Sequence, residues 1–165
     1  MSITLKSPSI QDQSFFLNAV KRSTPLHASW VKAPKNKKEF ARYLQNSTKD
    51  NQEYFLIVSN DDLAGVVNIN EIILENFRSA FLGYYAFSPY SGTGIMHEGL
   101  RLAINYAFKE LKLHRLEANI QPENKKSITL VERLGFTKEG YSRRYLKIFG
   151  KWKDHERWAL LKEDW

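Results

Sequence analysis

The spacing of hydrophobic residues changes several times along the chain, and each spacing predicts one type of secondary structure. Apolar residues recur every three or four positions, as on one face of a helix, over residues 10–22, 35–46, 95–111 and 124–134. Alternating or short continuous apolar runs predict strands over residues 2–6, 54–59, 63–73, 80–87, 114–120, 141–149 and 152–161. Residues 24–34, which contain two prolines and the lone Trp30, are predicted to form a loop.

The order of these elements constrains the fold. Strands joined by short turns pair antiparallel, whereas the helix at 95–111 connects two strands by a right-handed crossover that makes them parallel. We therefore predict an α/β fold with one mixed, mostly antiparallel sheet of about seven strands and about four helices on its two faces. The 165 residues fit a single domain, residues 1–165.

Charge and composition exclude several kinds of protein. The formal net charge of +7 favours a polyanionic partner such as nucleic acid, a ribosome or a phosphate-rich cofactor, although it also aids solubility. The absence of cysteine excludes a disulfide framework, a thiolate metal site and a cysteine nucleophile. The four histidines lack the spacing of a zinc site, and no apolar stretch is long enough to span a membrane. We therefore expect a soluble cytoplasmic protein without a metal ion.

A glycine-containing turn joins the fourth predicted strand to the longest helix. Gly92 and Gly94 allow a sharp turn whose N–H groups stay free at the helix start, where the helix dipole favours phosphate. The dinucleotide-binding fingerprint and the P-loop lysine are both absent. The same residues are also compatible with a tight connection that binds nothing.

Two further segments carry polar groups at predicted strand and helix ends. Asn124 and Ser127 suit the N-terminus of the helix at 124–134, either as a cap or as hydrogen-bonding groups for a linear cofactor arm and its leaving sulfur. Alternation separates Glu117 from the apolar face of its strand. Because an unpaired buried carboxylate is costly, Glu117 is expected either to face a cleft as a base acting through water or to pair with Arg115 or a lysine.

The C-terminal hairpin carries basic and aromatic residues from Lys138 to His155. Such a surface suits nucleic acid, but a solvated hairpin is the simpler interpretation because no stacking motif of a known RNA-binding module is present.

These residues lie in stretches that resemble the GNAT acetyltransferase superfamily and, within it, the ribosomal-protein-alanine N-acetyltransferases. The most specific stretch is residues 114–127, HRLEANIQPENKKS, and it continues through LGFTKEGY at 134–141. The stretch YLKIFGKWKDH at 145–155, the GYY of residues 83–85 and the pair Leu26 and Trp30 fit the same subgroup.

The resemblance implies acetyl-CoA as co-substrate and a V-shaped splay between the strands at 80–87 and 114–120. The pantetheine arm would lie in the V, and the pyrophosphate would bind the turn before the longest helix. The residues expected to contact acetyl-CoA are Tyr85, Phe87, Ser91, Gly92, Thr93, Gly94, Ile95, Met96, Asn124 and Ser127.

The resemblance also suggests catalytic roles for Glu117 and Ser127. Glu117 matches the position of a general base, and Ser127 is expected near the sulfur. Many relatives place a tyrosine acid where this chain has Val131, so Ser127 or a water molecule would protonate the leaving thiolate. Two other departures are Pro89, where the family loop usually has glutamine or arginine, and Gly99, where the helix usually has alanine.

The expected reaction is direct attack of a neutral amine on the thioester, with a backbone N–H near Phe87 stabilising the oxyanion. An α-amine, with a pKa of about 8, needs a weaker base than a lysine, which favours an N-terminal substrate. The resemblance implies that this substrate is the N-terminal alanine or serine of a ribosomal protein. Trp30, Tyr85 and His155 are candidate walls of the acceptor site, and Glu71 is a candidate for attracting a basic acceptor.

Two alternatives remain open. The same chemistry suits a small amine such as a polyamine or an aminoglycoside, and the basic surface suits a non-catalytic RNA- or ribosome-binding module. The protein is expected to be a monomer or homodimer with no membrane contact.

Overall fold

The computed structural model describes residues 2–165. Its strands form one seven-stranded sheet in the order β1-β2-β3-β4-β5-β7-β6. The strands are β1 (Ile3–Lys6), β2 (Glu53–Ser59), β3 (Asp62–Ile73), β4 (Ser79–Ala86), β5 (Arg115–Ile120), β6 (Thr137–Ile148) and β7 (Lys151–Leu161). The helices are α1 (Gln13–Arg22), α2 (Thr24–His27), α3 (Lys37–Ser47), α4 (Ile95–Lys109) and α5 (Lys125–Arg133), with 3₁₀ turns at Ile10–Asp12 and Lys162–Asp164.

The predicted mixed sheet is confirmed, including the single parallel pair, β4 with β5, across the crossover helix α4. The prediction of a loop throughout residues 24–34 is wrong in its first turn, where α2 forms. Proline in the first turn of this helix has no N–H to leave unpaired, which is compatible with a helix start. The first predicted helix also begins with a 3₁₀ turn rather than an α-helical one.

Helices cover the two faces of the sheet with separate apolar clusters. On one face, α4 contributes fully buried residues that include Leu100, Ala103 and Ile104, and α5 adds Val131. On the other face, Phe16 of α1 packs at 5.0 Å from the ring of Phe40 of α3. The apolar residues that recur at helical spacing in the sequence are therefore the ones that each helix buries against the sheet.

One departure from the family pattern has a packing explanation. A Cβ atom added at Gly99 would lie 2.5 Å from the Cδ1 atom of Ile57 on β2. Glycine therefore lets α4 approach β2 more closely than alanine would, which offsets its lower helix propensity.

The sheet opens between β4 and β5. These strands pair only over Ser79–Phe81 and Arg115–Glu117, although β4 continues to Ala86 and β5 to Ile120. The other edge of β5 stays paired with β7 along all six residues. The predicted V-shaped splay is therefore confirmed, and it leaves main-chain polar groups of β4 and β5 that need partners.

Candidate active site

A cleft of about 940 Å³ lies at the open end of the splay. Its walls come from α2 and the following loop, the end of β4, the turn before α4, and the first half of α5. Among the residues predicted to contact acetyl-CoA or the acceptor, it is lined by Trp30, Tyr85, Ser91, Gly92, Gly94, Met96, Asn124 and Ser127. Segments distant in sequence thus meet at one opening.

The direction of the main chain of β4 follows from its register with β3. The N–H of Phe87 donates to the carbonyl of Ala64 at 2.8 Å. Because alternate residues of an antiparallel strand bond to the same neighbour, the main-chain groups of Tyr85 also point toward β3. Tyr84 and Ala86 consequently direct their main-chain groups into the splay. The Phe87 N–H is therefore already used and its ring is fully buried, so an oxyanion donor near Phe87, which stays a prediction, would have to be the N–H of a neighbouring residue.

His27 of α2 closes the end of β4. Its Nε2 lies 2.8 Å from the carbonyl oxygen of Ala86, and its ring meets the Tyr85 ring edge-on at 5.2 Å. Since a carbonyl only accepts, Nε2 must carry the proton. Burial lowers the pKa of His27 below its ordinary value, which favours the neutral ring.

The turn before α4 has the backbone that an anion site requires. Gly92 and Gly94 have φ values of 77° and 88°, and Gly94 is an N-cap without a side-chain hydrogen bond. A Cβ at either glycine would meet nothing within 4 Å, so backbone conformation, not crowding, favours glycine. The first-turn N–H groups of α4 are thereby available to an anion. Thr93 does not line the cleft, and the Ile95 side chain is buried.

Side chains from other elements hold the segment that leads into this turn. Tyr90 Oη donates to Asp62 at 2.6 Å, and Arg22 Nε donates to the carbonyl of Ser88 at 2.5 Å. Pro89, the departure from the family pattern, lies between these two anchored residues. The protein thus fixes the start of the turn before α4 through side chains of α1 and β3.

The start of α5 carries a hydroxyl pair. Asn124 caps the helix by accepting the Ser127 N–H at 3.4 Å, so the predicted capping role is present. Ser127 Oγ lies 2.6 Å from Tyr84 Oη, and burial raises the pKa of Tyr84 to about 12. Tyr84 therefore stays a neutral phenol at ordinary pH. Sequence analysis missed it, although alternation along β4 places it on the face opposite Tyr85.

Glu117 lies at the closed end of the splay and does not line the cleft. Its carboxylate accepts hydrogen bonds from Arg115 at 2.8 and 3.2 Å, and Arg115 also binds Glu139. The ion pair that the sequence offered as an alternative is therefore present. Leu116 and Ala118 are buried under α4 and α5, so Glu117 projects from the opposite face of the sheet. Its role as a base stays a prediction.

The remaining acceptor candidates also lie outside the cleft. His155 is 3% exposed, and its Nδ1 lies 2.8 Å from the carbonyl of Lys153. Glu71 contacts Gln52 at 3.4 Å near the far end of β3. The register of β5 with β7 puts His155 on the same face as Glu117. Their contribution to acceptor binding stays a prediction.

That face contains buried polar atoms that sequence analysis missed. Among the residues that the structure describes, Tyr43 Oη and Asn68 Oδ1 are buried without a hydrogen-bond partner. Tyr43 stacks on Tyr54 at 5.2 Å, and Tyr54 lies opposite Asn68 in the sheet. Unsatisfied buried groups are uncommon and often mark functional sites. An asparagine within the apolar run of β3 was the available sequence signal.

Within residues 2–165, no group of three or more histidine, aspartate or glutamate side chains has a metal-binding arrangement. No helix in the described part of the chain is long and apolar enough to cross a membrane.

Comparison with known proteins agrees with this geometry. Over 130 residues, the chain is 42% identical to a probable N-acetyltransferase of Bacillus subtilis, covering 78% of the chain and 72% of that protein. It is 40% identical to the [ribosomal protein uS5]-alanine N-acetyltransferase of Escherichia coli over 68% of the chain, but only 59% of that enzyme's length is covered. It is 26% identical to the spermidine N(1)-acetyltransferase of Vibrio cholerae over 88% of the chain and 86% of that enzyme.

A solved structure resembles nearly the whole protein. The ribosomal-protein-S5-alanine acetyltransferase of Vibrio fischeri superposes with a TM-score of 0.89 at 27% identity, covering 100% of this chain and 96% of that one. Residues 2–137 match the family described as acetyltransferase (GNAT) domain. The chain therefore belongs to the GNAT family and is an acetyl-CoA-dependent N-acetyltransferase.

Proposed function

We propose that this enzyme acetylates the N-terminal alanine or serine of a ribosomal protein and that residues 1–165 act as one domain. The observation that carries the chemistry is the splay of β4 from β5 beside the N-terminus of α4. The acceptor class rests on the 40% identity to an alanine N-acetyltransferase of a ribosomal protein.

The cleft fits acetyl-CoA in charge and shape. The free N–H groups at the start of α4 suit the pyrophosphate, and Lys125, Lys126 and Arg133 line the opposite wall as cations for further phosphate. The inward N–H and C=O groups of Tyr84 suit the amides of the pantetheine arm, which would pair with β4 as an added strand.

The proposed reaction uses the two faces of the splay for different proton transfers. The neutral α-amine attacks the thioester carbonyl, and the Ala86 N–H stabilises the resulting oxyanion. The amine proton passes to Glu117 through water while Arg115 orients the carboxylate. As the C–S bond breaks, Ser127 donates its proton to the departing thiolate while the neutral Tyr84 hydroxyl donates a hydrogen bond to Ser127 Oγ. Water in the cleft then returns a proton to Ser127, and Glu117 releases its proton to solvent. The acid and base therefore approach from opposite faces.

Buried polar groups support acceptor binding on the Glu117 face. The unpartnered Tyr43 Oη and Asn68 Oδ1 suit the main-chain groups of a peptide, which would supply the missing hydrogen bonds. Glu71 would attract the positive charges of a basic ribosomal protein. We also propose contact with the ribosome, while the cytoplasmic location and the monomeric or homodimeric state stay predictions.

Thiol release from acetyl-CoA tests the proposal. The acceptor panel contains an Ala-starting peptide, a Ser-starting peptide, spermidine and an aminoglycoside. The matched control is the same Ala-starting peptide with a blocked α-amine and an internal lysine. We expect turnover with the free N-termini and none with the blocked peptide.

The main alternative, acetylation of a small amine, is supported by the similarity to a spermidine acetyltransferase, and the same assay tests it. Turnover with spermidine alone would assign the enzyme to small amines and leave the fold and cofactor site unchanged. If no acceptor reacts and acetyl-CoA produces no thermal shift, the proposed acceptor is wrong and the result favours the non-catalytic alternative.

A further inference from the structure

The tip of the C-terminal hairpin, residues 143–153, has an unusual composition. Five of its eleven residues are basic and none is acidic. All the others except Gly150 are apolar or aromatic. A solvated hairpin normally mixes charges of both signs, so this segment combines a concentrated positive charge with hydrophobic surface.

Four of the five aromatic and aliphatic side chains of the hairpin tip are exposed, and the fifth, Ile148, is half-buried. Trp152 is 60% exposed and Phe149 51%, and Leu146 and Tyr145 are 40% and 38% exposed. Lys147 lies directly opposite Trp152 across the two strands, so an ammonium group and an indole share one face. Exposed apolar clusters of this kind mark interaction sites.

The positive charges of the hairpin tip form no close ion pairs within the described residues, although the hydrogen bond from Tyr141 and, to a smaller extent, Arg143 and Arg144 lower the pKa of the Asp154 carboxyl. Within residues 2–165, no ion pair involves Arg143, Arg144, Lys147, Lys151 or Lys153. The neighbouring Asp154 accepts hydrogen bonds from Tyr141 and from the Arg144 N–H. The tip does not line the cleft, and β6 is the outermost strand of the sheet.

Charge decides between possible occupants. Two copies of the hairpin tip facing each other would bring two clusters of five positive charges together, which opposes self-association there. A polyanion is attracted instead, and a polyanion with flat apolar groups also satisfies the exposed rings. Unpaired bases offer such groups, whereas a duplex keeps its bases stacked inside.

We propose that the hairpin tip binds single-stranded RNA, with phosphates at its lysines and arginines and bases stacked on Trp152 and Phe149. This site is separate from the acetyl-CoA cleft. The proposal does not depend on the identity of the acceptor.

The test measures fluorescence anisotropy of a labelled 20-nucleotide single-stranded RNA of mixed sequence over a series of salt concentrations. The variant K147Q/K151Q/K153Q removes three charges from the hairpin tip. We expect at least a tenfold loss of affinity and a salt dependence shallower by about two in log–log slope. The control K37Q/K38Q/K49Q removes three exposed charges near α3 and is expected to lose far less.

A second variant separates stacking from charge. Trp152→Ala is expected to weaken RNA binding about tenfold while leaving the binding of heparin, a polyanion without bases, unchanged. Both hairpin variants should keep the thermal shift produced by acetyl-CoA, which verifies folding.

The proposal is overturned if the two lysine triple variants lose RNA affinity equally. Equal effects of Trp152→Ala on RNA and heparin would also contradict it. So would duplex RNA or anionic phosphatidylserine vesicles binding more tightly than the single strand.

Discussion

The two faces of the sheet at the β4–β5 splay differ in what they offer a ligand. The face under α4 and α5 presents a helix N-terminus, free main-chain groups and the neutral Tyr84–Ser127 pair. The opposite face presents the carboxylate of Glu117 in an ion pair and buried polar atoms without partners. One face suits a ligand that all members of the family share, and the other suits an acceptor that differs among them.

Substitutions on the two faces should therefore change different kinetic parameters. Changes on the face covered by α4 and α5, here called the α5 face, should alter acetyl-CoA binding or departure of the thiolate. Changes on the Glu117 face should alter attack by the amine while acetyl-CoA affinity stays constant. A variant that affects both equally would contradict the division.

The largest effect is expected from Glu117→Gln, which removes the proposed base. We expect kcat to fall by about 10²–10⁴-fold with unchanged acetyl-CoA affinity, as measured by thiol release and by thermal shift. Glu139→Gln is the matched control because Glu139 also binds Arg115. Equal losses in the two variants would show that Glu117 acts only through the ion pair.

A large but different effect is expected from Gly94→Asp on the α5 face. The added carboxylate would repel phosphate, and φ of 88° also strains a residue with a side chain. We expect the KM for acetyl-CoA to rise by roughly 100-fold, or about 2.7 kcal/mol. Gly135→Asp is the control. Gly135 has the same φ but lies beyond the C-terminus of α5, so the substitution introduces the same backbone strain away from the proposed phosphate site. A similar rise in KM in that control would contradict anion binding at Gly94.

A smaller effect is expected from Tyr84→Phe, which removes the hydroxyl that binds Ser127. We expect kcat to fall by about 3–10-fold, the usual effect of one hydrogen bond, with little change in KM. Tyr141→Phe is the control. The Tyr141 hydroxyl also donates a hydrogen bond, to Asp154 at 2.7 Å, but it does not line the cleft. An unchanged kcat in Tyr84→Phe would leave thiolate protonation to Ser127 or water alone.

The α5 face was the easier of the two to predict from the sequence. The apolar stripe of α4 and the glycines before it are local signals, and both correspond to the structure. The Tyr84–Ser127 pair depends on how α5 packs over β4, and the use of the Phe87 N–H depends on strand register. Neither can be obtained from the spacing of residues in one segment.

The Glu117 face shows more clearly what the sequence could not predict. Alternation correctly separated Glu117 from Leu116 and Ala118, but it could not choose between a base and an ion pair. The choice depends on Arg115 and on Glu139, a residue from another strand. His155 was expected in a cleft wall, yet it is buried, and its environment depends on how β7 pairs with β5, a strand distant in sequence.

The smallest expected effect concerns His27, which holds the end of β4 between the two faces. Because burial lowers its folded pKa, the unfolded chain binds more protons than the folded one as pH falls below the ordinary value near 6.5. His27 therefore costs no stability above that pH and destabilises the fold as pH decreases toward its folded pKa. His27→Gln keeps a donor for the Ala86 carbonyl but does not titrate. We expect the Tm of the unaltered protein to fall more steeply between pH 7 and pH 5 than that of the variant. Parallel curves would mean that protonation of His27 is not coupled to the end of β4.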